Sequence, residues 1–571
     1  MSEGPGRIAS VLVAVIPDEG GGGEWQPLRA DGSPAGAAEP VADLAAAIAE
    51  REAGERPRWV WPSTAASYPA LRRAGVRVDR CHDIELTEAL LLGHAGRWGE
   101  PRSLAAARAR LSGAPVPADP APRAATPPGN AQAALFEPVS QTPAMGLDAL
   151  VAVYADQHAR IEATAEPGRF RLLVAAESAG ALIAVEMAAD GLPWRGDVHD
   201  ELLLELLGEP SPVGGPPRRL VELSAGIAAA FGVRQLHAES PAEVQRAFAR
   251  AGIELPNTRA WVLRGVDHPA VPLLLEYKEL YRIWTAHGWA WRDTWVHGGR
   301  FRPEYVPAGV VSGRWATRGG GALQIPKVVR RAVRADPGWR FVVADAGQLE
   351  PRVLAAVSGD ARLAAAGGAG DLYAALAQDS FDGDRARAKL ALLGAMYGQT
   401  GGSAIPALAV LRRSYPTAFE YVESAARTGE AGGLVRSWLG RTCPPSSIGL
   451  REDGEGADFE VRAEADPFGP RARAAARSRG RFTRNFVIQA TAAEWALTLL
   501  AILRGGLAGT AAQLVFFQHD EVLVHCPEEQ AAEVVELVRA ASDRAGRLLF
   551  GDTRVRFPVD VSVVDCYADA A

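Results

Sequence analysis

The chain has 571 residues, 48% of them hydrophobic and 23% charged, with four cysteines and a net charge of −7. That length exceeds one ordinary core and implies several domains, and the acidic balance excludes a polycation, so a nucleic-acid partner would need a local basic groove. Cys81, Cys443, Cys526 and Cys566 show no CxxC pairing, which argues against a disulfide framework or zinc site and for a reducing cytoplasm.

In chain order, residues 1–111 alternate strand-like runs ("SVLVAVI", "RWVWP") with helix-like ones ("EPVADLAAAIAERE", "PRSLAAARARLSG"), the pattern of a small α/β domain. "SVLVAVI" is too short to span a bilayer and reads as a buried strand. Residues 112–145 are rich in Pro and Ala with little to bury, and read as a linker or long loop. Residues 146–290 are mostly helical by periodicity, as in "SPAEVQRAFARAG", where Ser240 serves as a cap. Strand signals return in "WRFVVADA" (339–346), "AAQLVFFQ" (511–518), "EVLVHC" (521–526) and "FPVDVSVVD" (557–565), with a long helical region between the first and second. The expectation is one antiparallel sheet with helices inserted.

Two of these strands carry acids where apolar residues would be expected. "WRFVVADA" ends near Asp345, and "VFFQHDEVLV" places His519-Asp520 at a tight hairpin turn beside Glu521. Two carboxylates about 4 Å apart repel by roughly 4 kcal/mol at an effective dielectric near 20. A divalent cation between Asp345 and Asp520 would resolve that conflict, and oxygen ligands suit magnesium. The same acids would also serve as ordinary residues of a solvated turn.

Between them lies "DRARAKLALLGAMYGQTGG" (384–402), in which Arg385, Lys389, Leu393 and Tyr397 recur every four residues and share one helical face. Two cations, an apolar residue and a ring on one face could grip a triphosphate and a base; an amphipathic surface helix looks the same. In "RGRFTRNFVIQATAAEW", Arg481, Asn485 and Gln489 form a second polar stripe able to reach base-edge acceptors. The basic runs "KVVRRAVR" (327–334) and "RARAAARSRGR" (471–481) would add positive charge, or merely form solvated faces.

Taken together, these segments resemble the family-A DNA polymerases, the bacterial DNA polymerase I type. "VVADAGQLEPRVLAAVSGD" is similar to that family's first palm motif, "RARAKLALLGAMYG" to its fingers-helix motif, and "FFQHDEVLV" to its last palm motif. "RNFVIQATAAEW" and "SGRWATRGGGALQIP" (312–326) resemble its primer–template segments. The likeness runs from about residue 170 to the C-terminus.

The resemblance implies a fold of several α/β and α+β domains. A degenerate RNase H-like exonuclease domain would occupy 1–111, with its last helix at 146–170. A right-hand polymerase would follow: a helical thumb (171–300), an antiparallel-sheet palm (301–364 and 441–571) and helical fingers (365–440). It implies two magnesium ions, or manganese, on Asp345, Asp520 and the carbonyl of Ala346. Glu521 and Lys389 join the two aspartates as catalytic candidates. Arg385 and Lys389 would hold the triphosphate, and Gln348, Glu350, Leu393, Tyr397 and His519 would line the nucleotide site. Gly394 would leave room for the new base pair, and Arg314, Arg481, Asn485 and Gln489 would follow the DNA. The implied reaction is attack of a primer 3′-hydroxyl on the α-phosphate of a deoxynucleoside triphosphate, in repair or replication. Partners are primer–template DNA and deoxynucleotides, without a membrane, in a monomer located in the cytoplasm at the nucleoid.

Departures from the family pattern are Leu393 in place of an aromatic, Ala346-Gly347 in place of Tyr-Ser, Pro351 for Leu, Val487 for Pro and Ala490 for Gly. In the front domain the first strand with its Asp-x-Glu pair is expected to be missing, and Ser67 falls where a metal-binding Asp would stand. Asp83 and Asp156 persist, with plain readings as a helix cap and a surface acid. Proofreading is therefore expected to be inactive. "QAALF", Gln132 to Phe136, resembles a sliding-clamp docking peptide, and a chance match reads equally well. A bifunctional exonuclease–polymerase and a non-catalytic DNA-binding relic are the alternatives.

Overall fold

The computed structural model describes residues 11–120, 145–212, 214–318, 325–398, 404–445 and 470–570. Gln132–Phe136 lies outside them, as does most of the 112–145 segment. In the front domain the elements are β1 (Leu12–Pro17), β2 (Gly23–Leu28), β3 (Glu39–Val41), α1 (Leu44–Gly54), β4 (Arg58–Trp61), α2 (Thr64–Arg73), β5 (Arg80–Asp83), α3 (Ile84–His94), α4 (Leu104–Ser112), α5 (Leu147–Glu162) and α6 (Pro167–Asp190). The sheet order is β3-β2-β1-β4-β5, with β1 antiparallel to β2 and parallel to β4.

That order corrects the expectation of a lost first strand. β1 is the central strand that joins the antiparallel hairpin to the parallel pair. What it lacks is acid. Its alternating side chains are apolar on both faces: Val13 and Val15 pack with Ile48, Trp59 and Trp61, while Leu12 and Ala14 pack with Leu150, Val153 and Tyr154 of α5.

Helix α6 opens on a proline in its first turn, where the missing N–H costs nothing. It crosses the expected boundary at residue 170 without a break, because its two sides serve two cores. Leu182 belongs to the front-domain core, whereas Phe170, Leu173, Ile183 and Met187 belong to the main one.

The helices α7 (Gly196–Leu207), α8 (Arg218–Ala230), α9 (Pro241–Arg250), α10 (Ala260–Leu263), α11 (Ala270–His287) and α12 (Trp289–Trp295) follow. With short strands β6 (Leu192–Pro193), β7 (Val296–His297) and β8 (Arg300–Phe301), they surround a separate core containing Leu203, Ile227, Phe248, Leu274 and Trp291. Ser240 caps α9 as its position suggested, accepting from Glu243 N at 3.4 Å.

The remaining elements are β9 (Glu304–Val306), β10 (Ala316–Arg318), β11 (Trp339–Ala346), α13 (Leu349–Val357), α14 (Ala361–Gly367), α15 (Leu372–Ser380), α16 (Arg385–Tyr397), α17 (Ala404–Ser414), α18 (Pro416–Glu430), α19 (Pro470–Gly506), β12 (Gln513–Gln518), β13 (Glu521–Pro527), α20 (Ala531–Phe550) and β14 (Val559–Val564). The four long strands form one sheet, β12-β13-β11-β14, antiparallel throughout. One face, with Val342, Ala344, Val522 and Val524, packs into the main core beneath α19 and α20. The other face, with Phe341, Val343 and Leu523, continues the core of the α7–α12 helices. Burial on both faces explains why these strands read as unbroken apolar runs. Helices α6 and α19 are long and apolar enough to cross a membrane by length and composition, yet most of each apolar window is buried inside the fold.

A buried charge cluster ties the front domain to this body. Arg504 of α19 donates to both oxygens of Glu186 on α6, at 2.8 and 2.7 Å, and to the carbonyls of Asp79 and Val78. Tyr68 of α2 donates to the same Glu186 carboxylate at 2.6 Å, and Arg77 donates to Arg504 O at 2.8 Å. Burial alone would raise the Glu186 pKa, but the bonds and charge of Arg504 bring it below the usual carboxylate range. A buried pair is stable only while both partners remain. Arg504→Met should therefore lower unfolding stability by about 3 kcal/mol in urea titrations, with the added Glu186→Gln recovering part of that loss.

Candidate active site

Antiparallel register sets the acids of the large sheet side by side. Asp345 stands opposite Glu521 on β13 and opposite Asp560 on β14, and directly opposed residues present their side chains to the same face. The β12–β13 hairpin pairs Gln518 with Glu521 across a two-residue turn, with His519 in the left-handed region at φ 57°. Ala346 N donates to Asp520 O at 3.2 Å, which brings the turn against the end of β11. Asp345 and Asp520, distant in sequence, are thus neighbours.

The acids differ in their partners. Glu521 accepts from the Tyr567 hydroxyl at 2.6 Å and lies 3.5 Å from Arg330, whose guanidinium sits 4.1 Å over the Tyr567 ring. Among the described residues neither Asp345 nor Asp520 has a cationic partner within 4.0 Å. Burial, followed by the charge of Asp345, pushes Asp520 up to about 6. Burial and the charges of Glu521 and Asp560 raise Asp345. Two carboxylates without an ion-pair partner among the described residues, Asp345 exposed and Asp520 half-buried, stand beside the Ala346 main chain as an all-oxygen donor set, which fits a hard divalent cation such as magnesium.

The second component is α16. Asp384 caps it, accepting from Arg387 N at 2.9 Å, and Gly398 closes it at φ 68°. Ala388, Ala391, Leu392, Gly394, Ala395 and Met396 are buried, whereas Arg385, Lys389 and Tyr397 are exposed and Leu393 is half-buried. These four lie along the open side of the helix.

Glu350, in the first turn of α13, ties the end of α16 to Arg314. It accepts from Tyr397 Oη at 2.5 Å and from Arg314 Nη2 at 2.6 Å. Burial and the Glu350 charge raise the Tyr397 hydroxyl well above its usual value. His519 is lowered, first by burial and then by Arg314.

The Gln348 side chain is tied down on both sides of its amide. The residue holds a left-handed φ of 59°, and its amide is bonded to Asp371 Oδ1 at 2.8 Å and to Leu372 N at 2.9 Å. Pro351 sits in the first turn of α13, where proline is tolerated.

On α19, Arg481 is exposed, and Asn485 and Gln489 are half-buried one and two turns on. Arg481 packs against the α16 terminus: a Cβ added at Gly398 would lie 3.1 Å from its Cγ. Asn485 Oδ1 is a buried acceptor without a donor among the described residues.

In the front domain, Asp83 caps α3 and also accepts from Thr64 N at 2.7 Å, and burial pushes its pKa up to about 6. Asp156 pairs with Arg160, which also reaches the buried Glu88. Ser67 is buried in α2.

Sequence reasoning missed Asp560, Arg330 and Asp371. Asp560 had a signal, an acid inside the apolar run "FPVDVSVVD", the same feature that drew attention to Asp345. Arg330 was hidden in a basic run, and Asp371 in an unremarkable helix cap.

A model of the DNA polymerase family A matches residues 217–569. DNA polymerase I of Chloroflexus aurantiacus is 28% identical over 301 residues, 48% of this chain and 30% of that protein. The thermostable DNA polymerase I of Thermus filiformis is 27% identical over 299 residues, and that of Thermus aquaticus 26% over 302, each match covering 50% of this chain and 35% of the relative. The chain thus spans about a third of the length of the curated relatives it matches. A solved structure, the POL domain of Pol1 from M. smegmatis in complex with DNA primer-template and dNTP, superposes with TM-score 0.69 at 18% identity, covering 98% of this chain and 96% of that one. At that identity the likeness is one of fold.

The raised Asp520 carboxyl has a consequence for stability. Its folded pKa, about 6, lies above the 3.8 of an aspartate free in water. The protonated group favours folding, so that stability is fully present below about pH 4 and is lost as pH rises through 6. Asp520→Asn should raise the melting stability of the metal-free protein at pH 8 by about 1 kcal/mol and leave it nearly unchanged at pH 4, in parallel thermal melts.

Proposed function

The chain belongs to DNA polymerase family A, and from that premise we propose that it is a template-directed DNA polymerase that extends a primer 3′-hydroxyl with deoxynucleotides. The observation that carries this reading is the pair of cation-free aspartates, Asp345 and Asp520, brought together on one sheet. Asp345, Asp520 and the Ala346 carbonyl would hold two divalent cations. When bound, such ions neutralise the developing charge on the attacking and leaving oxygens of a phosphoryl transfer.

The chain's own residues supply the rest. Lys389 and Arg385 form a cationic rail on α16 that would receive the triphosphate. Tyr397 and Leu393 present an apolar and aromatic surface next to it for the base. Glu350, fixed between Arg314 and Tyr397, would stand against the sugar and crowd a 2′-hydroxyl. Arg481, Asn485 and Gln489 would line the duplex, with the unpaired Asn485 Oδ1 ready for a donor on the DNA. Glu521, already engaged by Tyr567 and Arg330, would brace the hairpin rather than hold a cation.

We further propose that the front domain does not proofread. A two-metal nuclease centre needs several acids around a polar cavity. Here the β1–α5 interface is filled by Leu12, Ala14, Leu150, Val153 and Tyr154, and Asp83, Glu88 and Asp156 are committed to a cap and to arginines. DNA and deoxynucleotides as partners, a cytoplasmic location and work in repair or replication follow from the same reading.

Primer extension with magnesium and four deoxynucleotides tests it. The parent should extend a primed template, and Asp345→Asn and Asp520→Asn should each lower kcat by about 1,000-fold. Without nucleotides, a 3′-labelled primer should stay intact. A parent that fails to extend any primed template overturns the polymerase reading, and a shortened primer overturns the second proposal.

A further inference from the structure

The two cations of the α16 rail are not equivalent. Arg385 Nε donates to Asp371 Oδ2 at 2.7 Å. Lys389, one turn on, has no carboxylate within 4.0 Å among the described residues, and its ammonium lies 5.9 Å from the centre of the Tyr373 ring. The same ring lies 5.6 Å from the Arg385 guanidinium. One cation is therefore occupied and the other open.

Asp371 is held in place from behind. Its Oδ1 caps α15, accepting from Ala374 N at 3.1 Å, and accepts from Gln348 Nε2 at 2.8 Å. Gln348 Oε1 in turn accepts from Leu372 N and from Arg352. Arg352 is buried, with bonds to the carbonyls of Gly347, Gly367, Ala369, Gly370 and Arg556. Burial would raise the Asp371 carboxyl, but Arg385 and Gln348 hold it down at about 2, so it is ionised at any working pH. The carboxylate is anchored while the arginine is long, half-exposed and attached only at its tip.

We propose that Asp371 is a positioning residue that parks Arg385 as an internal counter-ion, and that an incoming polyphosphate must displace this carboxylate to recruit the arginine. This rests on the nucleotide-site reading above and deepens it. Lys389 makes first contact with the anion. Arg385 is released only to a ligand carrying enough charge to outcompete a fixed carboxylate, so the pair discriminates a triphosphate from a monophosphate. The exposed setting keeps the effect modest, since such pairs contribute little in water. A fixed negative charge beside the entering anion adds to it.

The test is equilibrium binding of inorganic triphosphate to the full chain, with Asp371→Asn as the probe. Asparagine keeps an Oδ1 for the cap and the Gln348 bond, and replaces the charged acceptor facing Arg385 with an amide NH2 that cannot accept from its Nε. The expected result is about threefold tighter binding for Asp371→Asn, and no gain when the same change is made in Arg385→Ala. In nucleotide addition the gain should appear as a lower KM for deoxynucleotide, which loss of a merely structural cap would not produce. Unchanged or weaker binding by Asp371→Asn, or a gain that persists in Arg385→Ala, overturns the proposal. If Lys389→Ala abolishes binding while Asp371→Asn leaves it unchanged, the counter-ion role alone falls. If the parent binds no triphosphate, the nucleotide site falls with it.

Discussion

The candidate site depends on the register between β11 and its two neighbours. Because Asp345 is paired with Glu521 and Asp560, three acids share one sheet face at the strand ends. A slip of one residue would turn Asp345 toward the main core, among Val342, Ala344 and Val522. The apolar residues that precede the acids fix this register, since each face must meet a different core. Packing thus holds together a cluster of like charges that would separate if free to move; burial first, and the neighbouring charges second, raise the carboxyls of Asp345 and Asp520.

Much of this was legible in the chain. "WRFVVADA" is β11 residue for residue, and the His519-Asp520 hairpin is where the two apolar runs meet. The helix opening after Asp384 and closing at Gly398 follows from a capping acid and a glycine free to take positive φ. These signals are local, and local signals survive folding. The Arg385–Asp371, Arg504–Glu186 and Glu521–Tyr567 contacts join residues 14, 318 and 46 positions apart, and no short-range pattern announces which acid meets which base. The front sheet shows a different limit. The run "SVLVAVI" was correctly a strand, but its place in the sheet depends on pairing with β4, a relation that alternation within one strand does not carry.

Glu350 and Asp371 show how acids can organise a cationic helix face without cancelling it. Each is fixed in or beside a helix start and receives one end of a mobile group. Glu350 ties Tyr397 and Arg314; Asp371 ties Arg385 and Gln348. The rail of α16 is therefore held to the starts of α13 and α15 by two exchangeable links, with Lys389 between them left open.

Helix α6 makes the front segment a structural partner of the main body. Since Leu182 completes the front core while Ile183 and Met187 complete the main one, loss of the front segment would strip one flank of a helix that the remainder cannot do without. Substitutions inside that segment leave the flank covered, whereas deletion of the whole would expose an apolar surface to water. The segment in this way works as a splint, whatever chemistry it carries.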